Sequence, residues 1–533
     1  MPRGAAQPDS SVELVELRVL DGPNRFFTRP AVKLEFAGER PGQADEVAAS
    51  AALAIKRLHN ALGLSEPRLT TRRSVDRLRT ALAFAWRRRA ISQAIGAAAA
   101  RLALGRSTDR RELASLRATS HGPLSHLPRP RIPIVAVTGT NGKSTTTRLI
   151  AHVASECGLR VGMTNSDGIF VRGELVEAGD WTGFGGAGRV LAEPRLDLAV
   201  LETARGGILL RGIGYATNDV SVVTNVSADH LGLQGIDTVD ELAEVKGVVV
   251  RITKRDGWAV LNADDDRAWA MHRHTRANLY VFSMEPRSDR VERVLDDGGR
   301  AAVFERGALV LRGAGRRPRR LATAAELPVT VAGLSRYNIA NALAAAAACD
   351  ALGIPAPRIA RGLRSFVQDA AANPGRLNLY ERRGVFFVVD FAHNEAGLAG
   401  LMDVSRAVAR RRKVRLAFGT AGDRTDEILH ALGVLAGGAD DLVIAEKIHY
   451  LRGRDNDEMN ELLRVGARDG GYTGEIEALP NEMAASQALV GRARRGDVCA
   501  VMAHVERAEL FDWLAAEGFK PVGTDRLREL IGA

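Results

Sequence analysis

The sequence predicts a multi-domain α/β protein: a small α+β N-terminal domain, a central parallel-sheet domain with a phosphate loop, and a further α/β domain. Three observations carry this. The chain has 533 residues, too many for one core, since single cores stop growing at roughly 250–300 residues. From residue 134, short β-rich runs (134–137, 198–201, 220–224, 258–261) alternate with helical patterns, the texture of a mostly parallel sheet covered by helices. A second set of such runs (386–389, 416–418, 442–445, 498–502) follows residue 385.

Taken in order, residues 1–128 form the expected N-terminal domain. Strand-like runs at 12–19 and 31–36 flank the turn Asp21-Gly22-Pro23-Asn24, and helical patterns follow at 44–62 and 82–104. Residues 120–133, with prolines at 123, 128, 130 and 133, read as a linker. The central domain is expected over 129–374 and the C-terminal domain over 375–533, with the boundary at Asn373-Pro374-Gly375. No internal repeat is visible, and the Gly/Arg-rich residues 312–320 are the one biased loop.

Composition excludes several classes. At 46% hydrophobic and 26% charged, the chain is neither disordered nor fibrous. No apolar run approaches the roughly 18–20 residues that span a bilayer, and the first residues have no apolar core of signal-peptide type. Cys157, Cys349 and Cys499 make neither a disulfide framework nor a metal-ligand spacing. These features predict a cytoplasmic protein without a membrane partner. The net charge of +10 is carried by arginines, clustered at Arg72, Arg73, Arg77, Arg79, Arg87, Arg88 and Arg89 and again at 316–320. Such clusters read either as a polyanion surface or as solvated faces of an Arg-rich protein. Without zinc-finger spacing or an aromatic RNA-binding signature, nucleic acid is the lesser reading.

The strongest motif is Val137-Thr138-Gly139-Thr140-Asn141-Gly142-Lys143-Ser144-Thr145, where an apolar strand runs into a Gly-rich turn and then a helical pattern. Glycines let backbone N–H groups close around phosphate, and the helix N-terminus attracts the anion. Lys143 would reach the β and γ phosphates of ATP, and the Ser144 hydroxyl would ligate Mg²⁺. The usual spacing places a further glycine where Val137 stands. Downstream, the apolar run 198–201 ends in Glu202, which the strand-end rule for open sheets directs at the same site; in isolation it also reads as a surface acid. Thr238-Val239-Asp240-Glu241 is a capping box opening a helix with Leu242, Val245 and Val249 on its apolar stripe. Lys246 on that helix also reads as a lysine that snorkels to solvent.

The Gly-Thr-Asn-Gly-Lys-Ser form after Val-Thr resembles the phosphate loop shared by Mur ligases, folylpolyglutamate synthetases and cyanophycin synthetases. The resemblance implies ATP as substrate, with Gly139, Thr140, Asn141, Gly142, Lys143, Ser144 and Thr145 around its phosphates. It implies two Mg²⁺ sites: one held by Ser144 and Glu202, the other by His230 of the segment Asn225–His230 and by a carbamylated Lys246. It assigns Asn338 to adenine, Arg376 to the nucleotide, and Asp390, in Asp390-Phe391-Ala392-His393-Asn394, to the phosphate side of the C-terminal domain. Phe391 stands where the family motif has tyrosine, so any role of that hydroxyl is absent here. Gly422-Asp423-Arg424 also matches the family.

Within the superfamily, Glu202-Thr203-Ala204-Arg205-Gly206-Gly207, Asp229-His230-Leu231-Gly232-Leu233 and Tyr450-Leu451-Arg452-Gly453-Arg454 resemble the C-terminal, Mur-like half of cyanophycin synthetase. The chain has no room for that family's ATP-grasp domain. The resemblance therefore implies a Rossmann-like C-terminal domain and one reaction: an ATP-dependent acid–amino-acid ligase attaching an amino acid, arginine in that family, to a carboxylate. The acceptor is an acidic peptide, a polymer or a small acid, and an oligomer or a partner supplying the missing activity is compatible with the sequence. The alternatives are a P-loop ATPase or kinase without amide formation, and a non-catalytic binding module; the intact Lys143, Glu202, His230 and Lys246 argue against the latter.

Overall fold

The computed structural model describes residues 11–125, 127–128, 130–229 and 231–531. Among them no helix is long and apolar enough to cross a membrane. The chain forms two compact units, one of Met1–Thr140, Leu159–Leu261 and Asp265–Leu279, the other of Asn141–Gly158, Asn262–Asp264 and Tyr280–Ala533.

The first unit begins with an antiparallel four-stranded sheet in the order Val12–Leu20, Ala31–Gly38, Arg79–Ala85, Leu69–Arg73. Helices Gln43–Ala61 and Arg89–Ala103 cover it, and Leu34, Phe36, Ile55, Phe84 and Ile95 form its core. The helix expected over 82–104 starts only at Arg89. Residues 79–85 are a strand instead, because their Ala-rich run pairs on both edges. The strand Leu69–Arg73 was not expected: Thr-Thr-Arg-Arg carries no apolar pattern because it sits at a sheet edge, where polar and charged side chains are tolerated. Expected arginines of this region are ion-paired: Arg72 to Glu244, Arg73 and Arg77 to Asp45, and Arg89 to Asp21.

The same unit holds parallel strands in the order Thr253–Asn262, Asn218–Val223, Ile134–Thr138, Leu198–Glu202, Val161–Thr164. Gly168–Val171 and Glu174–Ala178 extend them antiparallel, so the sheet is mixed at its edge. Every residue of Ile134–Thr138 and Leu198–Glu202 is buried, as expected for strands covered on both faces. The register pairs Val137 with Glu202 and Thr138 with Val223, so these strands finish at one edge.

In the second unit, helix Lys143–Glu156 packs against the Ala-rich helix Arg336–Ala351 and against Ala356–Ser365. Strands Arg319–Thr323, Ala308–Gly313 and Arg300–Glu305 run antiparallel, and Asn278–Ser283 pairs parallel with the last. A seven-stranded sheet follows, in the order Glu477–Leu479, Asp441–Ala445, Val414–Phe418, Val498–Met502, Val385–Asp390, Asn378–Arg382, Lys520–Pro521, parallel from the first strand through Val385–Asp390. The fold is thus the multi-domain α/β arrangement the sequence predicts.

Two helices beside this sheet, Asp426–Ala436 and Asn456–Asp469, touch backbone to backbone through glycines. A Cβ on Gly433 would lie 2.5 Å from the Leu463 carbonyl oxygen and 2.8 Å from the Gly466 Cα, and one on Gly466 would overlap the His430 carbonyl. In helix Glu482–Arg492, by contrast, a Cβ on Gly491 meets nothing within 4 Å. Gly433→Ala and Gly466→Ala are expected to lower stability by about 1–3 kcal/mol through overpacking. Gly491→Ala is expected to raise it by about 0.5–1 kcal/mol through helix propensity. Urea unfolding followed by circular dichroism checks both, and a neutral Gly433→Ala would remove the close-packing account.

Candidate active site

The first half of the phosphate loop belongs to the first unit. Gly139 has φ +150°, and a Cβ there would overlap the Thr224 hydroxyl, so a side chain is excluded both by conformation and by space. Thr138 Oγ1 donates to the Thr203 carbonyl at 2.7 Å, and the Thr140 amide donates to the Asn225 carbonyl at 2.9 Å. These bonds tie the loop to the ends of both neighbouring strands. Glu202 ends its strand 3% exposed. Thr238 caps the helix Val239–Lys246 in a complete capping box with Glu241. Lys246 closes that helix and is 3% exposed; its Nζ donates to the Gly139 carbonyl at 2.6 Å. The ammonium is turned to the loop and not to solvent. His230 lies outside the described residues.

The second half of the loop belongs to the second unit. Gly142, at φ +83°, opens the helix Lys143–Glu156, and a Cβ on it would overlap the Asn341 side-chain amide. The first turn of this helix holds no acidic residue, which leaves its N-terminus suited to an anion. Lys143 is half-buried, and Ser144 and Thr145 are buried. The Asn141 and Asn394 side-chain amides bond to each other in both directions, at 3.1 and 3.0 Å. Asn338 is 1% exposed; its Nδ2 donates to the Val329 carbonyl at 2.8 Å, and its Oδ1 accepts from Asn341 at 3.0 Å. Each of these atoms still has capacity for one further hydrogen bond.

In the seven-stranded sheet, Asp390 ends its strand and accepts the Leu377 amide at 2.7 Å. Burial pushes its carboxyl up to about 6, with the Arg376 charge pulling the other way. The Arg376 guanidinium lies 4.5 Å over the Phe391 ring, and Arg507 lies 5.1 Å from it. The motifs Gly422-Asp423-Arg424 and Tyr450-Leu451-Arg452-Gly453-Arg454, separate in sequence, adjoin here. Gly422 donates to the Tyr450 carbonyl at 2.9 Å, Arg452 pairs with Asp423, and Arg454 donates to the Arg424 carbonyl at 2.7 Å.

In the first unit Glu202 is a buried carboxylate and in the second unit Ser144 a buried hydroxyl, each of the hard oxygen chemistry that Mg²⁺ takes. Among the described residues no group of three or more His, Cys, Asp or Glu is placed to hold a metal. Mg²⁺ is commonly bound by one or two carboxylates plus substrate phosphates, so such a cluster is not required. As an ammonium, Lys246 is a hydrogen-bond donor, and only a carbamylated Lys246 would offer oxygen.

Sequence reasoning did not anticipate Thr224 under Gly139, Asn341 against Gly142, or Asn394 opposite Asn141. Asn394 announces itself locally only as a helix cap, accepting the Gly397 amide at 3.0 Å. A cavity of about 260 Å³ was also not foreseen. It lies in the first unit against the four-stranded sheet, and its walls carry both signs of charge, among them Arg18, Arg25, Lys33, Glu35, Asp237 and Glu241.

Comparison with known proteins bears on the family of the chain. The Mur ligase middle domain matches residues 137–349, and the Mur ligase glutamate ligase domain matches residues 375–505. Cyanophycin synthetase of Trichormus variabilis is 42% identical over 336 residues, and that of Crocosphaera subtropica 39% over 372. These matches cover 63% and 70% of this chain but only 37% and 42% of those proteins. A UDP-N-acetylmuramoyl-L-alanyl-D-glutamate–2,6-diaminopimelate ligase of Geobacillus kaustophilus is 26% identical over 405 residues, 74% of this chain and 77% of that one. Among solved structures, a bifunctional folylpolyglutamate synthase/dihydrofolate synthase with Mn, AMPPNP and L-glutamate bound shares the fold at TM-score 0.54 and 18% identity, covering 73% of this chain and 91% of that one. A pseudomurein peptide ligase type C from Methanothermus fervidus does so at 0.52 and 17%, covering 77% and 85%. Carrying both the middle domain and the glutamate ligase domain, the chain belongs to the Mur ligase family.

Proposed function

We propose that the protein is an ATP-dependent ligase that joins a carboxylate to an amine through an acyl phosphate and releases ADP. By resemblance, it adds an arginine-like amino acid to a carboxylate of an acidic peptide or polymer. The observation that carries this reading is Lys246: a buried lysine on a separate helix, its Nζ 2.6 Å from the Gly139 carbonyl of the phosphate loop. A phosphate loop alone serves ATPases and kinases equally well. A lysine brought to that loop from this helix is what the Mur ligase resemblance asks for.

In the proposed reaction an acceptor carboxylate oxygen attacks the γ-phosphorus, the bond to the β–γ bridging oxygen breaks, and ADP leaves. The amine nitrogen then attacks the acyl carbon, phosphate leaves with the bonding pair, and the nitrogen loses its extra proton to solvent. Lys143 and the backbone N–H groups of residues 139–145 hold the phosphates. Ser144 and Glu202 would hold one Mg²⁺, and His230 with carbamylated Lys246 a second; bound Mg²⁺ neutralises charge on the phosphate oxygens. Asn338 and Arg376 would position the nucleotide and Asp390 the domain that brings the amine. Catalysis is then chiefly positioning and electrostatics. The mixed-charge cavity suits an acceptor chain bearing both signs of charge.

ADP release is expected only when Mg²⁺-ATP, an acidic acceptor and an amino acid are all present, with amide product in equal amount. Lys143→Ala should lower the rate by at least about 10²-fold, the size of losing a preorganised charge partner. ADP formed without amine, and with no amide, would favour the ATPase or kinase reading.

A pH profile tests Asp390. Its ionised form is taken to be the working one, and its carboxyl is raised to about 6. Turnover at saturating substrates should therefore be flat above pH 7 and fall about tenfold per unit below pH 6, as expected for a single protonation. Asp390→Asn should be slow throughout and lose the break. Stability runs the other way: an acid raised on folding favours the folded state while protonated, and that contribution disappears as pH rises through about 6.

A further inference from the structure

We infer that Arg25, in the N-terminal loop after the first strand, is a positioning residue that sets where Lys246 stands against the phosphate loop. The inference rests on the role proposed above for Lys246.

The loop is rigid before it touches anything else. Asn24 is fully buried; its Nδ2 donates to the Gly22 and Arg29 carbonyls at 2.8 and 3.0 Å, and its Oδ1 accepts the Phe26 and Phe27 amides at 2.9 and 3.0 Å. From this base the Arg25 side chain, 8% exposed, reaches the helix Val239–Lys246. Its Nε donates to Glu244 Oε2 and its Nη2 to Glu241 Oε1, each at 2.9 Å. Glu241 uses its other oxygen for the capping box, accepting the Asp237 and Thr238 amides at 2.9 and 3.2 Å. One guanidinium therefore grips both the cap of the helix and its last turn.

Glu241 and Glu244 are three residues apart and share one face of the helix. Lys246 is two residues beyond Glu244, about 200° around the axis, so it points to the opposite side. The helix is held between Arg25 on one side and the Gly139 carbonyl on the other. The segment after Lys246 is tied to the same loop: Arg251 Nη2 donates to the Asn24 and Arg25 carbonyls, both at 3.1 Å. Lys246 thus lies between two anchors on a single rigid loop. Without Arg25, Glu241 would keep only the capping box and Glu244 only Arg72, at 2.6 and 3.1 Å, and the one side chain that joins the two ends of the helix to the loop would be gone. A displacement of about 1 Å in a positioned group can cost on the order of 10²-fold in rate.

The test compares the full-length wild type with Arg25→Gln, Arg25→Lys, Arg211→Ala, Lys246→Ala and the double variant Arg25→Gln/Glu241→Gln. Each is assayed for kcat and for KM of ATP, with a thermal melt as a check on folding. Arg211 also anchors the loop, through Asp21 at 2.8 Å, but does not touch the helix, so Arg211→Ala should keep the wild-type kcat. Arg25→Gln should lose about 10- to 100-fold in kcat with KM for ATP unchanged. Arg25→Lys should recover part of the loss, and the double variant should be no slower than Arg25→Gln alone. Protein equilibrated with ¹³C-bicarbonate gives a readout without turnover: a carbamate resonance absent in Lys246→Ala should be weakened in Arg25→Gln. Arg25→Gln with wild-type kcat, or with kcat and ATP affinity lost together as in a poorly folded protein, overturns the inference. If Arg25→Gln does not fold, the same outcomes are read on Arg25→Lys. A wild type that turns over no better than Lys246→Ala overturns the proposed role of Lys246 itself, and this inference with it.

Discussion

Gly139 and Gly142 each hold the backbone of the phosphate loop against a side-chain wall of their own unit, and neither leaves room for a side chain. At Gly139 the backbone passes over the Thr224 side chain with φ +150°, and at Gly142 it turns at φ +83° against Asn341. Neither position tolerates a Cβ, which narrows the path the backbone can take at each. The wall at Gly139 exists because Asn218–Val223 and Ile134–Thr138 end in register, with Thr138 opposite Val223. The same register, Val137 opposite Glu202, brings a buried carboxylate to that edge. Close approach of backbone at the ends of parallel strands is therefore the common cause of loop geometry and of where the donors stand.

This constraint also explains what was legible in the sequence. The loop, the strand leading into it and Glu202 are written in contiguous residues, because glycine spacing and an apolar run are local signals. The capping box at Thr238 and Glu241 was legible for the same reason and appears complete in the structure. The strands at 69–73 and 79–85 were not, since a Thr-Arg edge and an Ala-rich run become strands only through their partners. Asn394 against Asn141 spans 253 residues of chain, and no periodicity predicts it. Clustered arginines such as Arg72, Arg73 and Arg77 are balanced by acids supplied from elsewhere in the chain.

Buried charge in this protein recurs beside the proposed working residues, in an outer layer that holds their backbones. In the second unit, Lys447 and Glu482, 5% and 1% exposed, form an ion pair. Glu482 also accepts the backbone amides of His504, Val505 and Glu506 at 2.7, 3.1 and 2.9 Å. The pinned His504 meets the Ala392 carbonyl through Nε2 at 2.6 Å. Burial and the nearby Lys447 charge hold its imidazole well below the usual range, so it is neutral and donates through Nε2. The segment carrying Asp390 is thus fixed by a neutral hydrogen bond whose far end is an ion pair.

In the first unit the Arg25, Glu241, Glu244 and Arg72 cluster stands in the same relation to Lys246. Stability does not account for such pairs, because well-packed apolar replacements of buried ion pairs are often neutral or stabilising. What a charged pair supplies and an apolar contact does not is direction. A guanidinium or carboxylate satisfied by several amides or acids at 2.7–3.1 Å admits one orientation of the elements that carry them. Groups that must hold phosphate and metal within a fraction of an ångström need that determinacy more than they need burial energy. Arg25 and Glu241 also form part of the cavity wall, so a chain seated there would contact the side chains that orient the Lys246 helix. If the acceptor proposed above seats there, its binding and the placement of Lys246 draw on one set of charges.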